Sequence, residues 1–348
     1  MATPRHRVRA NQFVRAPGSR RLRVAFWNVQ NLFEPRAVER GPKTPAELDA
    51  KLNALSRVVN RLFSGEGPDL IGFAEIQSPQ LLNRLKSQLD GSFVSAWVGP
   101  GLPGEQTGLG VLARSDTVSR LETLHHYTPL LFARPRCCVR RCTLRSNAEP
   151  ILFVVNHWKS RRPAMVSGVA MDEEDRRQTA RWLGEILAKN DRETCAIVIG
   201  DFNAEPFEGP FSELSLRAVR TFGAALWKGA TPAYLYNTSW RQLPESDFWE
   251  TARKTDYRSS QPRTSHDTRP GVIYDQLLVS SAALRGGPVT LLEKSVQYHC
   301  DRDTSIRDRS GALTPFRWRY EGNSPGGEGT SDHFPLVAKF CIHRRRSP

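Results

Sequence analysis

Residues 197–206 read IVIGDFNAEP: an apolar run, a glycine, then an acid and an amide one residue apart. The run fits a strand buried on both faces, as in a sheet packed between layers. Side chains alternate along a strand, so Asp201 and Asn203 face the same way at its rim. Outward from this stretch, LRVAFWNV (22–29) and DLIGFAEI (69–76) read as two further buried strands. Between them, Thr44, Pro45 and Glu47 match a capped helix start with proline at the first position. Leu48, Leu52, Leu55, Val59 and Leu62 then keep helical spacing. Ser78 caps a second helix, and the acidic start of 172–190 opens a third. Shorter strands are predicted at 93–98, 109–114, 117–124, 136–145 and 150–156, with later ones at 275–281 and 334–342. Two irregular stretches remain, an aromatic one at 205–271 and one rich in Arg, Asp and Gly at 299–331. No repeat appears, and no linker is long enough to divide two domains. The pattern predicts one mixed α/β domain over 22–342, with a basic arm at 1–21 and a basic tail at 343–348.

Hydrophobic content of 39% and charged content of 25% are those of a soluble globular protein. No apolar run reaches the roughly 18–20 residues of a membrane span. The start of the chain lacks the apolar middle of a secretory signal, so a cytoplasmic location is expected; its Arg-rich, acid-free composition leaves a transit peptide as the alternative. The net charge of +14 is concentrated at the ends. Residues 1–23 hold seven arginines and the tail three, with no acid in either, leaving the body at +4. Such ends are either solvated tails or arms that grip a polyanion. None of the six cysteines forms the C-x-x-C spacing of a zinc site, and reduced, mostly buried thiols are expected.

Polar residues stand at or just past the ends of apolar runs six times. Asn28 follows RVAFW, Glu75 follows LIGFA, and Asn156 and His157 follow ILFVV. Asp201 and Asn203 follow AIVIG, Asp275 precedes QLLVS, and Asp332 and His333 open the last strand. One strand-terminal Asp or Asn is commonly a turn former. Six together, all from the Asn, Asp, Glu and His set, point to a site built on strand ends. Those residue types suit hydrolysis at phosphate. Carboxylates and amide oxygens hold a hard cation, and an Asp–His pair can polarise or deprotonate an attacking water. Zinc is disfavoured by the lack of an H-x-x-x-H or Cys/His cluster, and a serine hydrolase by the lack of a G-x-S-x-G elbow.

The ordered set FWNVQNLF (26–33), FAEIQ (73–77), VVNHWKSR (154–161), IGDFNAEP (199–206), YDQLLVS (274–280) and TSDHFPLVAKF (330–340) resembles the endonuclease/exonuclease/phosphatase superfamily. Its wording is most similar to bacterial nuclease-like members. The resemblance implies a four-layer α/β sandwich, two mixed β-sheets packed face to face and flanked by helices. It implies Mg2+, with Mn2+ able to substitute, held by Glu75 with help from Asn28 and Asp332. Asp201 would align or activate the water, with Asn203 holding phosphate or nucleophile. His333 would contact the scissile phosphate or act as base, oriented by Asp275, and His157 would be phosphate ligand or general acid. Lys159 and Arg161 are expected to clamp a phosphate beside His157. One departure is Gln30, which stands where the abasic-site endonucleases carry an acid. Another is the long stretch between Asp275 and Asp332, whose Gly-rich run at 322–331 reads as a gate to the site.

The first functional expectation is therefore a metal-dependent nuclease cutting DNA or RNA, alone or within a larger defence or repair assembly. A phosphatase or phosphodiesterase acting on small molecules or lipid head groups is the second. A binding protein on a retired fold is the third, and retention of the whole acidic set argues against it. The aromatic segment 227–257 is read as a base-stacking surface or core filling, and His125–His126 as surface or core histidines.

Overall fold

The computed structural model describes residues 20–35, 41–100, 107–129, 134–161, 165–166, 169–170, 172–189, 194–212, 215–227, 234–243, 272–307, 313–319 and 328–343. The basic arm up to residue 19, the tail beyond His343, the run 320–327, and Phe248, Trp249 and Tyr257 lie outside these residues.

In chain order the first part supplies β1 (Arg21–Leu32), α1 (Pro45–Arg61), β2 (Leu70–Ile76), α2 (Pro79–Lys86), β3 (Phe93–Val98), β4 (Gly108–Arg114), β5 (Val118–Tyr127), β6 (Cys137–Leu144) and β7 (Pro150–His157). The second part supplies α3 (Asp172–Lys189), β8 (Ala196–Asp201), β9 (Ala218–Val219), β10 (Leu235–Asn237), β11 (Asp275–Val279), β12 (Val289–Leu291), β13 (Gln297–Tyr298) and β14 (Leu336–Ile342). These strands form two mixed sheets of seven strands each. One runs β12-β14-β1-β2-β4-β3, with β13 also on β14; the other runs β9-β10-β11-β8-β7-β6-β5.

Strand periodicity divides each apolar run between two cores. In β1, Leu22, Val24 and Phe26 enter the core between the sheets, whereas Ala25, Trp27 and Val29 pack outward against α1 and α2. In β8, Ile197 and Ile199 face inward, whereas Ala196 and Val198 join Ala180 and Leu183 of α3. The layers are thus helices, sheet, sheet, helix, as the resemblance implies. Gly72 on β2 permits the close approach of the sheets: a Cβ there would lie 2.5 Å from Val155 Cγ2 on β7. Among the described residues, no helix is long and apolar enough to cross a membrane.

The helix starts are those the sequence specifies. Thr44 Oγ1 accepts from Glu47 N at 3.2 Å with Pro45 behind it, and Ser78 Oγ accepts from Leu81 N at 3.2 Å. Cys137, Cys138, Cys142 and Cys195 are buried free thiols, as expected for reduced cysteines. The 299–331 stretch is less irregular than its composition implies. Asp301 accepts from Thr304 N and Asp303 N, both at 3.0 Å, and a hairpin pairs Ser305–Arg307 with Leu313–Pro315. The partners of Asp301 and Asp303 include Arg61 and Arg57 of α1. Arg307, Arg317 and Arg319 are exposed. Desolvation of the Asp301 carboxyl is outweighed by its bonds to His299 and Thr304, which pull it down to about 2.

Candidate active site

Two parallel pairs set the position of the site. β1 runs parallel to β2 and β7 parallel to β8, so each pair ends at the same edge of its sheet. The antiparallel strands β11 and β14 begin there. Asp201 sits in register with His157 on one side and Asp275 on the other, so three of the residues form one row. Parity then aims them. Asn28 continues the inward series Leu22, Val24 and Phe26; His157 continues Ile151, Phe153 and Val155; Asp201 continues Ile197 and Ile199. All face the cleft between the sheets. Gly200 allows β7 and β8 to close at this end, since a Cβ there would meet Asn156 O at 2.3 Å.

Hydrogen bonds join the row to the other sheet. Gln30 N donates to Asn28 Oδ1 at 3.1 Å, which turns the Asn28 amide nitrogen toward two carboxylates. That nitrogen donates to Glu75 Oε1 at 3.2 Å and to Asp201 Oδ2 at 3.0 Å. Glu75 lies at a bulge in β2 with a left-handed φ of 66°, and its Oε2 accepts from Asn31 N at 2.8 Å. The second oxygen of Asp201, Oδ1, accepts from Asn203 N at 3.0 Å, while Asn203 Nδ2 donates to Trp158 O. His157 Nε2 lies 3.7 Å from Glu75 Oε1 and 3.9 Å from Asp201 Oδ2.

His333 is clasped from three sides. Its Nδ1 lies 2.8 Å from Asp275 Oδ2, and its Nε2 lies 3.7 Å from Asp201 Oδ2 and 3.9 Å from Asp332 Oδ1. Ser331 holds the turn before it, donating from Oγ to Asn28 O and accepting from His333 N. Burial lowers the tendency of His333 to carry charge, but the Asp275, Asp201 and Asp332 carboxylates outweigh it and raise its pKa to about 10. The ring is therefore an imidazolium at neutral pH.

All eight residues expected for catalysis and metal binding converge on this cleft: Asn28, Glu75, His157, Asp201, Asn203, Asp275, Asp332 and His333. Asn156 does not face it; its amide donates to Ile199 O and its Oδ1 accepts from Trp158 Nε1. Lys159 and Arg161 lie beyond the end of β7. Arg161 is paired with Glu208 at 2.8 Å and reaches Tyr274 Oη at 3.4 Å, so its guanidinium is partly committed to a carboxylate. Lys159 donates to Ser160 O, and its carbonyl accepts from Arg176 of α3. Burial, and then the Arg136 charge, lower its pKa. Trp158 packs edge-on against Phe202 at 4.8 Å and stacks on Phe211, forming an aromatic base under both loops. In the aromatic segment, Tyr236 is core and Trp227 is 70% exposed; His125 and His126 are exposed on β5.

Lys51 is a residue that the strand-end pattern does not find. It is fully buried, donates from Nζ to Gln30 O, and lies 5.4 Å from the centre of the Trp318 ring. Burial pushes its pKa down to about 7, with Asp332 and Glu75 opposing the fall. A signal was available: Lys51 falls on the apolar face of α1, beside Leu48, Leu52 and Leu55.

The donor chemistry fits a hard divalent cation. Glu75, Asp201 and Asp332 are 4%, 2% and 5% exposed, and buried carboxylates are costly unless cationic charge answers them. Asp201, Asp275 and His333 present ligand atoms within 4.8 Å of one another. In that trio, however, Nδ1 of His333 is engaged by Asp275. The oxygens of Glu75 and Asp332 suit a hard cation, whereas Asn28 turns its amide nitrogen to the carboxylates and its oxygen to Gln30 N.

Sheet order, strand-end acids and the Asp–His pair define a family. The profile of the Endonuclease/Exonuclease/phosphatase family matches residues 25–333, and the chain belongs to that family. An endonuclease/exonuclease/phosphatase family protein from Bacteroides thetaiotaomicron has a similar fold, with a TM-score of 0.55 at 16% identity over 94% of this chain and 99% of that one. TDP2 of D. rerio, in a complex with single strand DNA product, gives a TM-score of 0.51 at 17% identity over 92% of this chain and 98% of that one. No curated protein matches.

Proposed function

We propose that the chain is a divalent-metal-dependent phosphodiesterase whose substrate is DNA or RNA, cut by in-line attack of a water held at Asp201. The observation that carries this reading is the buried Asp201 carboxylate, 3.7 Å from the His333 ring and 3.9 Å from the His157 ring. A carboxylate so placed can orient a water and take its proton, while two imidazoles flank the place where phosphate oxygens gain charge. His333, held as imidazolium by Asp275, donates to a non-bridging oxygen; this favours phosphate contact over a role as base. His157 donates to the phosphate or protonates the leaving oxygen. Glu75 and Asp332 would hold Mg2+ or Mn2+, which would supply Lewis-acid neutralisation of the phosphate, and Asn28 assists by holding Glu75 through its amide nitrogen. Lys159 and Arg161 form an outer phosphate contact, and the basic arm and tail add non-specific grip on a polyanion.

The deciding assay is a panel of duplex DNA, single-stranded DNA, RNA, an abasic-site duplex and inositol phosphates, each with Mg2+ or with chelator. Chelator-sensitive cutting of a nucleic acid is expected. Turnover confined to inositol phosphates would replace the nuclease reading with that of a small-molecule phosphatase, and no turnover on any member would overturn both.

A pH profile reports His333 separately. Its charged form persists until pH passes about 10, so turnover should fall on that alkaline limb. Stability follows the same sign: the contribution is complete below the ordinary value of 6.5 and is lost as pH rises through about 10. Asp275→Asn removes a charge that raises the pKa, so the alkaline limb should move down by on the order of one pH unit. An unmoved limb would assign it to another group.

A further inference from the structure

The chain around Gln30 has an unusual build. Gln30 and Asn31 are both left-handed, at φ 50° and 54°, a conformation that non-glycine residues rarely adopt. Two backbone N–H groups leave this turn toward the acidic site: Gln30 N to Asn28 Oδ1 at 3.1 Å, and Asn31 N to Glu75 Oε2 at 2.8 Å. The same turn is gripped on its other side. Lys51 Nζ takes the Gln30 carbonyl, and the Gln30 side chain bonds Trp318 twice, from Nε2 to Trp318 O at 3.2 Å and at Oε1 from Trp318 N at 3.0 Å. Trp318 is buried, and its ring lies against the Lys51 ammonium. An amide paired twice with a distant backbone, and a lysine withdrawn from solvent to hold one carbonyl, are costly features on a helix face otherwise filled by leucines.

We propose that Lys51, Gln30 and Trp318 form a positioning clamp that sets the metal affinity of the site by fixing the left-handed turn, whose N–H groups orient Asn28 and Glu75. The inference rests on the reading of Glu75 and Asp332 as metal ligands, with Asn28 holding Glu75 through its amide nitrogen. It also gives Gln30 a role: where the abasic-site endonucleases carry an acid, this chain carries an amide that binds backbone. Lys51 is a positioning residue and touches no substrate. Outer groups that orient metal ligands typically change affinity by about 10–100-fold when removed.

The test is direct Mn2+ binding to the full chain, followed by electron paramagnetic resonance, with thermal melting of the metal-free protein alongside. Lys51→Met should weaken Mn2+ binding by about 10–100-fold. The melt of the metal-free variant checks that it stays folded, since the Gln30 carbonyl loses a donor. A residue that merely fills the core would lower the melting temperature and leave affinity unchanged. If the ammonium acted chiefly by repelling the metal, Lys51→Met would bind Mn2+ more tightly. Unchanged or tighter binding therefore overturns the clamp. Gln30→Ala, which keeps Lys51 and cuts both bonds to Trp318, should weaken Mn2+ in the same direction; should Lys51→Met fail to fold, unchanged affinity in Gln30→Ala overturns the proposal. Failure of the wild-type chain to bind Mn2+ at all would instead remove the reading of the metal site.

Discussion

Asp201→Asn is expected to lower the turnover of a phosphodiester substrate by about 10³–10⁴ while leaving the protein folded. The substitution keeps the size of a side chain that is 2% exposed, so it opens no cavity. Its Oδ1 can still accept from Asn203 N, which preserves the turn after β8. What it removes is the charge on Oδ2, the atom bonded by Asn28 and lying between the two imidazoles. An amide nitrogen there faces the Asn28 amide nitrogen, donor against donor, at a cost of about 1–3 kcal/mol. Loss of one of several crowded carboxylates offsets part of that. The check is single-turnover cleavage together with a melting curve. Wild-type turnover in a folded variant would remove Asp201 from the chemistry, and unfolding alone would be seen in the melt.

Much of this site was legible because its residues obey local rules. A period of two, counted inward along LRVAFWN, ILFVVNH and IVIGD, ends on Asn28, His157 and Asp201, and the same parity predicts which core each neighbour enters. The caps at Thr44 and Ser78 were legible for the same reason, since donor and acceptor stand three residues apart. The remainder depends on pairings with no local trace. Gln30 and Trp318 are separated by 288 positions, and Arg61 reaches 242 residues forward to Asp303. Arg161, read as a phosphate clamp from its place beside His157, is half committed to Glu208 on a loop 47 residues later. Glu75 was found from its position, but not its left-handed backbone, which interrupts the alternation of β2 and aims the carboxylate at the site. The exception is Lys51, a charged residue on an apolar helix face, whose spacing announces burial but not what it holds.

Glu75→Gln should have the second large effect, and one of different character. The turnover lost should be about 10³ or more at ordinary Mg2+ concentration, with part regained as Mg2+ or Mn2+ is raised. Glu75 presents one oxygen to Asn31 N and the other to Asn28 Nδ2, 3.7 Å from His157. Glutamine keeps the first bond and the bulged backbone, so the β1–β2 end stays in place. It removes the formal charge from a ligand in a cleft where the carboxylate is 4% exposed. In such a setting a carboxylate attracts a divalent ion far more strongly than an amide dipole does. The same change reaches Lys51, because Glu75 opposes the burial that pushes its pKa down to about 7; without that charge the lysine should lose its proton at lower pH. Titrating activity against Mn2+ distinguishes this from Asp201→Asn. Glu75→Gln should move the metal requirement upward, whereas Asp201→Asn should depress turnover at every metal concentration. Equal metal requirements in wild type and Glu75→Gln would move the cation away from Glu75, toward the Asp201, Asp275 and His333 side of the cleft.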